Sequence, residues 1–530
     1  MKKAAFLAAA AILVAGLAFP FASIAATNGS TASSIGTWTL SAGSGLGTGT
    51  ANTAAGPFAV YKGNLYVGTS NNNGCQVRVK SGNSWNPVNP AGFGSANNKS
   101  ISSLKVFGDN LYAGTANETD GCGIWSYNGT TWTNVASGGF GNKDNLMVTA
   151  MEVFNNKLYA GTTNYKITLI NPGSDGAGIW SSGNGTTWTS VASGGFGDTL
   201  NEGVTALKSF NGNLYAGTAR AQVAISWVTF PTVMKLTLTS VGCELRRLNG
   251  SNWDKVAGNG FSDVRNIAAN TMEIYGGKLM IGTTNGDGSA TLEVMSQKIS
   301  DFTYQTNGLC VYRYNGSTLT RLVSGGFNNI NDFSAGSMTA MKVGSSNLLL
   351  AAVGVTQGQP RVEVYNGSTW FSGSEDGFGN SNNTGMGAIA TFSNSAYVGT
   401  GNSTQGCEVW YGTPPTSKVE PTTFYFAEGT CRPNFDPYFC IQNPGSTAAN
   451  VTLTFMKGDG TTASDTVTVP KNSRTTVLPR NKLGTGDDAA HDFSTKVQCT
   501  NGQPIVVERP MYFNYNGAWT GGHDVVGFIP

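Results

Sequence analysis

Charge is scarce in this sequence. Of 530 residues only 12% are Asp, Glu, Lys or Arg, and the formal net charge is +2. Such a surface lacks the basic footprint that nucleic acid demands and the polybasic patch that an anionic membrane attracts, so no nucleic-acid partner is expected. Histidine is scarcer still. The only two are His491 and His523, each followed by an aspartate (Asp492, Asp524), and the first four-fifths of the chain has none. GxSxG, HExxH and Walker sequences are absent, which removes the commonest signatures of hydrolase, metallopeptidase and nucleotide chemistry. The eight cysteines contain no CxxC pair, so a zinc ribbon or a thioredoxin-type centre is excluded. No cofactor is expected, and the chain reads as a non-enzyme. A glycosidase, needing only two carboxylates, is the enzymatic alternative.

Long apolar runs are also missing, apart from one at the start. Lys2 and Lys3 precede the apolar stretch Ala4–Ala18, and small residues follow to Ala25 and Ala26. This pattern predicts a secretory signal peptide over residues 1–26. No later run could span a membrane as a helix, so no transmembrane span is expected after signal removal. The style of signal and composition points to a bacterial protein that is secreted or held at the cell surface.

Glycine is abundant. The 72 glycines are about twice the usual share and fall mostly at turn positions. Aromatics make up 10%, enough for well-filled cores. One phrase recurs: GNLYVGT from Gly63, DNLYAGT from Asp109, NKLYAGT from Asn156, GNLYAGT from Gly212 and GKLMIGT from Gly277. Degenerate copies follow, from Ser346 and from Asn394. The intervals are 46, 47, 56, 65, 69 and 48 residues, the length of a four-stranded propeller blade with insertions in the middle. Asn-Gly pairs at Asn128, Asn184, Asn249, Asn315 and Asn366 predict tight hairpins between third and fourth strands. The segment from Gly36 through Trp38 matches a fourth strand with no partners before it, and the last unit stops after its third. The first strand should therefore complete the last blade, shutting the sheets into a ring. The expected fold is an all-β, seven-bladed β-propeller over residues 27–412, a linker over 413–421 and a C-terminal β-sandwich of immunoglobulin-like size over 422–530.

The segment SSGNGTTW, from Ser181, resembles the Asp-box turn of sialidase-type propellers, with Gly183 in the Asp position. Residues 36 to 412 resemble repeats of secreted bacterial propellers. In the C-terminal domain, FAEGTCRPNFDPYFCIQNPG and VQCTNGQPIVVERPMYFNYNGAWTGGHDVVG resemble a domain that ends many bacterial surface proteins. That resemblance implies surface display or adhesion. It also implies a Cys440–Cys499 disulfide with Cys431 left over, against a rival Cys431–Cys440 pairing. Cys75, Cys122, Cys243 and Cys407 occupy one repeat position and read as buried apolar residues, with Cys310 shifted by one.

Two features gather on the face shared by the fourth-to-first and second-to-third connections. One is a repeated loop carrying Phe93, Phe140, Phe196, Phe261, Phe327 and Phe378. These rings either wedge between blades or form an aromatic ring that stacks on sugars, with Asn98, Asp144, Asn201, Asp263, Asp332 and Asn383 as hydrogen-bonding neighbours or turn formers. The other is a trio of insertions, 163–176, 219–242 and 284–307. The middle one holds Trp227 and an apolar run that must pack against something. Candidate binding residues are the six phenylalanines and Trp227. The expected function is extracellular, non-catalytic binding or adhesion, with a glycan or a surface protein as partner. A self-associating structural component is the second expectation. No metal site is expected: His491 and His523 with their aspartates read as loop residues. Glu508 and Arg509 read as a structural ion pair.

Overall fold

The computed structural model describes residues 37–166, 173–229, 233–293, 298–415, 422–515 and 518–528. The expected signal peptide and most of the expected linker lie outside the described residues. The chain divides into two compact units at residues 417 and 418. Both are built from antiparallel strands, so the fold is all-β. No helix among the described residues is long and apolar enough to cross a membrane.

Among the described residues of the first unit, seven antiparallel sets of four strands pair in sequence. The third set is representative. Asn145–Phe154 pairs with Lys157–Asn164, that strand with Ile179–Ser182, and that one with Thr189–Ala192. The recurrent leucines mark the second strands: Leu65, Leu111, Leu158, Leu214, Leu279 and Leu348 are all fully buried, as is Ala396 in the seventh copy. The seventh set is assembled from both ends of the unit. Gly385–Phe392, Ser395–Gly401 and Val409–Thr413 supply three strands, and Thr37–Ala42 supplies the fourth. Trp38 lies opposite Gly412, as the repeat arithmetic predicts.

The first strands of successive sets contact one another in chain order, and Ala54–Tyr61 of the first set contacts Gly385–Phe392 of the seventh. Side chains on these inner strands staple neighbours together. Ser103 donates to the Val148 carbonyl (2.6 Å), Thr149 to Val204 (2.7 Å) and Thr205 to Ala269 (2.7 Å). A small hydroxyl suits this position because it satisfies a neighbouring carbonyl without forcing the strands apart. Between sets, aromatic and aliphatic residues fill the seams, as in the cluster of Tyr112, Ile124, Val148, Met151 and Leu158.

The third-to-fourth hairpins differ from the tight turn expected at Asn-Gly. Four residues, not two, form the loop at Asn128, Asn315 and Asn366, and six form it at Asn184. Only the glycine takes positive φ, for example 76° at Gly185. The asparagine side chain braces the loop instead: Asn184 Oδ1 accepts from the Thr186 and Thr187 amides at 3.0 and 2.8 Å. The dipeptide marked a hairpin correctly, but through the Asx mechanism.

The second unit holds three small antiparallel sheets. Thr423–Phe426, Phe493–Cys499, Ala449–Lys457 and Thr462–Val469 form one, and Ser473–Val477, Phe439–Asn443 and Val506–Glu508 another. Their inner faces share a core of Phe424, Phe439, Ile441, Leu453, Phe455, Val497 and Val507. The third sheet joins Phe435–Pro437, Met511–Tyr515 and Ala518–His523.

Two expectations fail here, for one reason. Successive residues of a strand face opposite sides. Phe439 and Ile441 point into the core, so Cys440 points out, whereas Cys499 is buried within the core. The Cys440–Cys499 disulfide is therefore not formed, and Cys431 is likewise a free, buried thiol, so the rival pairing is not formed either. Cys499 Sγ instead meets Asn501 Oδ1 at 3.0 Å. By the same alternation Glu508 is exposed and Arg509 is buried. They are not an ion pair. Arg509 donates to the Glu428 carbonyl.

Candidate functional site

The loops between fourth and first strands were the leading sequence candidates for binding. Each abuts the turn that opens a third strand. The second glycine of the loop donates its amide to the residue at the shared cysteine position: Gly92 to Cys75, Gly139 to Cys122, Gly195 to Ala177, Gly260 to Cys243 and Gly45 to Cys407, at 2.8 to 3.0 Å. Leu309 takes this position in the fifth set, so Cys310 is indeed displaced by one. The fit leaves no room for side chains. A Cβ on Gly176 would lie 2.2 Å from the Gly195 nitrogen. Burial pushes the Cys75 and Cys407 thiols up to about 12. These cysteines are inert packing groups, as their repeat position suggested.

A buried amide braces every loop but one. Asn52, Asn98, Asn145, Asn201, Asn266 and Asn383 each donate to the second glycine's carbonyl, at 2.8 to 3.0 Å. Asp332 does the work in the remaining loop, accepting from the Phe327 amide at 2.9 Å. The recurring braces are therefore Asn145 and Asn266, not the nearby Asp144 and Asp263. Asn98, Asn201, Asp332 and Asn383 are at most 8% exposed and engaged in structure, so they are not ligand-binding side chains.

The phenylalanines are engaged as well. Phe93 stacks on Trp125 of the next set (4.5 Å between centroids), Phe140 on Trp180 (4.4 Å) and Phe378 on Trp410 (5.5 Å). Phe196 meets Trp253 at 5.8 Å, Phe261 meets Tyr312 at 5.2 Å and Phe327 meets Trp370 at 5.0 Å. Five of the six sit at positive φ, between 55° and 64°. An aromatic residue is held there only when its surroundings over-determine it. Every ring is buried or half-buried between sets, which is the wedge and not the sugar platform.

The insertions build something sequence could not show. Ala221–Thr229 pairs with Val233–Ser240, that strand with Asp287–Glu293 of the next set, and that one with Lys298–Gln305. The result is a four-stranded sheet drawn from two consecutive insertions, lying across the face at the far end of the second strands. Its inner side carries Met234, Leu236, Leu238 and Ala290, the last three packed on Leu146, Met147, Tyr165, Ile267 and Ala268. Packing on the neighbouring insertion thus removes the hazard of the apolar run. Its outer side carries Gln222, Ser226, Lys235, Thr237, Thr239, Ser289, Thr291 and Thr303. Ser289 and Thr303 share a hydrogen bond at 2.8 Å. Trp227 belongs to the inner side, opposite Met234, and lies at the hairpin tip with 42% of its surface exposed. Part of the first insertion, 167–172, lies outside the described residues.

Beneath this cap lie polar groups that no motif flagged. Glu202 is 3% exposed, its Oε2 has no hydrogen-bond partner, and burial pushes its carboxyl well above the usual range. The Tyr165 hydroxyl is also without a hydrogen-bond partner, and burial together with the neighbouring Glu202 pushes it up. Elsewhere buried carboxylates have hydrogen-bond or ion-pair partners. Glu244 meets Lys255 at 3.0 Å and Arg246 at 2.5 Å; burial pulls its carboxyl upward, but these bonds and the nearby guanidinium charges hold it below the usual range. Glu363 and Asp332 bracket Arg361 at 2.7 Å each. In the second unit Asp492 is taken by Arg432 (2.7 Å), and His491 Nδ1 lies 2.7 Å from Asp488, so the His-Asp pairs do not converge. No metal-holding cluster occurs among the described residues.

No family model matches the chain, and no curated protein does. Solved structures do. The WD40 domain of Neurospora crassa Pan2 is 10% identical over 69% of this chain and 90% of that one, with a TM-score of 0.39. A variant of the Aleuria aurantia lectin in complex with α-methyl-L-fucoside is 10% identical over 62% and 96%, with a TM-score of 0.29. The sensory rhodopsin transducer of Anabaena is 25% identical over 17% and 88%, with a TM-score of 0.15. The first two are β-propellers, in keeping with an all-β chain. None carries an argument about function.

Two outcomes follow. Phe140→Ala should cost roughly 3 kcal/mol of stability, read as an earlier midpoint in denaturant unfolding followed by tryptophan fluorescence. Burial lets Glu202 hold its proton to higher pH in the folded state than in the unfolded chain, where the carboxyl ionises near its ordinary value of 4.5. Its contribution is therefore harmless below that pH, and stability falls by about 1.4 kcal/mol per pH unit above it until the folded group ionises. Glu202→Gln should remove that decline, giving a higher melting temperature than the parent at pH 7 and an equal one at pH 4.

Proposed function

We propose that this chain is an exported bacterial binding protein, without catalytic activity, that attaches to a polar extracellular polymer, foremost a glycan. The seven strand sets are the blades of a closed propeller, and the second unit is an immunoglobulin-like sandwich that holds the propeller at the cell surface. The observation that carries the reading is the cap sheet. Its apolar side is consumed by packing on the propeller, and its outer side presents rows of hydroxyls with Gln222 and Lys235 on a rigid support. Such a surface offers hydrogen bonds at strand spacing to a hydroxylated chain, and binding commonly resides on insertions carried by rigid scaffolds. The phenylalanine loops give no support to an aromatic sugar platform. The sialidase-like turn at Ser181 is a hairpin brace, with Gly185 donating to Ser182 Oγ at 2.8 Å.

A second reading has its own observation. Ala221–Thr229 and Lys298–Gln305 are the outermost strands of the cap sheet's ladder. Edge strands invite addition of another strand, so a self-associating surface component is the alternative.

A glycan array probed with the signal-free chain should show binding that Thr237→Arg combined with Ser289→Arg weakens at least tenfold. Unchanged binding in that variant, concentration-dependent filaments without ligand, or turnover of a glycoside would overturn the reading.

A further inference from the structure

The opposite end of the second strands holds a cleft where the repeat breaks. The residue after the recurrent leucine is a buried tyrosine in five sets: Tyr66, Tyr112, Tyr159, Tyr215 and Tyr397. Between the first two sets three rings meet there, Tyr61, Tyr66 and Tyr127, with centroids 5.8 to 6.3 Å apart. Between the fourth and fifth, Phe210, Tyr215 and Tyr314 do the same. Between the fifth and sixth the flanking rings are present, Tyr275 against Tyr365 at 5.6 Å, but Met280 stands where the central ring would be.

A small neighbour enlarges the gap. The cross-strand neighbour of that residue is charged in four consecutive sets: Lys105, Glu152, Lys208 and Glu273. Lys105 pairs with Glu152, and Lys208 with Glu273 at 2.8 Å. In the sixth set the position is Ala340, as it is Ala59 in the first and Ala390 in the seventh, where the central tyrosine is kept. Met280 beside Ala340 leaves a cleft of about 650 Å³, within the range of roughly 300–1,000 Å³ typical of small-molecule sites.

Its charge is one-sided. Lys278, Arg313 and Lys342 line it, all exposed, and none has a carboxylate partner among the described residues. Glu273 shares a cross-strand row with Arg313, yet its oxygens are turned to Lys208 and to the Ile274 amide. Three uncompensated cations converge on a gap floored by a thioether and walled by two tyrosines. We propose that this cleft binds an acidic saccharide, with the cations engaging a carboxylate or sulfate and the tyrosines packing against the ring carbons. It is a second site, separate from the cap sheet.

The test is isothermal titration of the signal-free chain with trigalacturonate, a sulfated disaccharide, neutral cellotriose and inorganic sulfate. At least one acidic saccharide should bind, more weakly as salt rises, with cellotriose and sulfate at least tenfold weaker. Arg313→Ala should weaken binding tenfold or more. Met280→Tyr restores the residue of five other sets, so it should fold with an unchanged melting temperature and abolish binding. The doubly substituted cap variant should retain it, which separates this site from the proposed function. No acidic saccharide binding at millimolar concentration, equal binding of cellotriose or inorganic sulfate, or undiminished binding by Met280→Tyr would overturn the proposal.

Discussion

The pairing of Thr37–Ala42 with Val409–Thr413 is the contact on which the first unit depends. It joins residues nearly four hundred positions apart, so its loop-closure entropy is among the largest in the chain. Without it the seventh set would present an open strand edge, and Trp38 would lose its seat between Phe378 and the Gly373 carbonyl. The closing seam is reinforced on three levels. Gly45 donates to the Cys407 carbonyl, Cys407 donates to the Asn52 carbonyl, and Ala54 bridges Gly401.

The same loop-to-turn joint recurs at every seam, and it explains why chemistry-bearing residues in the repeats do so little chemistry. Asparagines that look like hydrogen-bonding ligands are buried braces. Phenylalanines that look like a sugar platform are wedges, five of the six at positive φ, packed on a tryptophan or tyrosine of the next set. The proposed sites lie at departures from the repeat. Two insertions join into a cap whose polar side faces outward, and Met280, in place of the recurrent tyrosine, leaves a basic cleft at the opposite end of the second strands. The regular positions hold the scaffold rigid so that these irregular ones can be placed accurately.

The fold was legible because its signals are periodic. The leucine phrase located each second strand, and the unpaired strand at Trp38 announced how the unit closes. The site was less legible. Phe140 and Asn145 carry the same letters whether they brace a joint or bind a ligand, and only the contact with Trp180 and the Gly139 carbonyl decides. The Ile225 run showed that something must cover it, yet pairing of Val233–Ser240 with Asp287–Glu293 joins segments from different insertions and leaves no local trace. The Cys440–Cys499 bridge and the Glu508–Arg509 pair failed on strand parity, which a resemblance or a dipeptide does not encode. Met280 was visible as an odd copy of the phrase, but its consequence needed the flanking rings of Tyr275 and Tyr365.

The central claim is that the chain's beginning completes its seventh strand set. Thr39 and Tyr411 are directly opposed in that pairing, and antiparallel partners lie roughly 4.5–5.5 Å apart at Cα, within disulfide reach. The account predicts that Thr39→Cys with Tyr411→Cys forms an internal disulfide on air oxidation, seen as a linked peptide by mass spectrometry, with a raised melting temperature. A chain that remains fully reduced at these two positions, or one that crosslinks only between molecules, would contradict it.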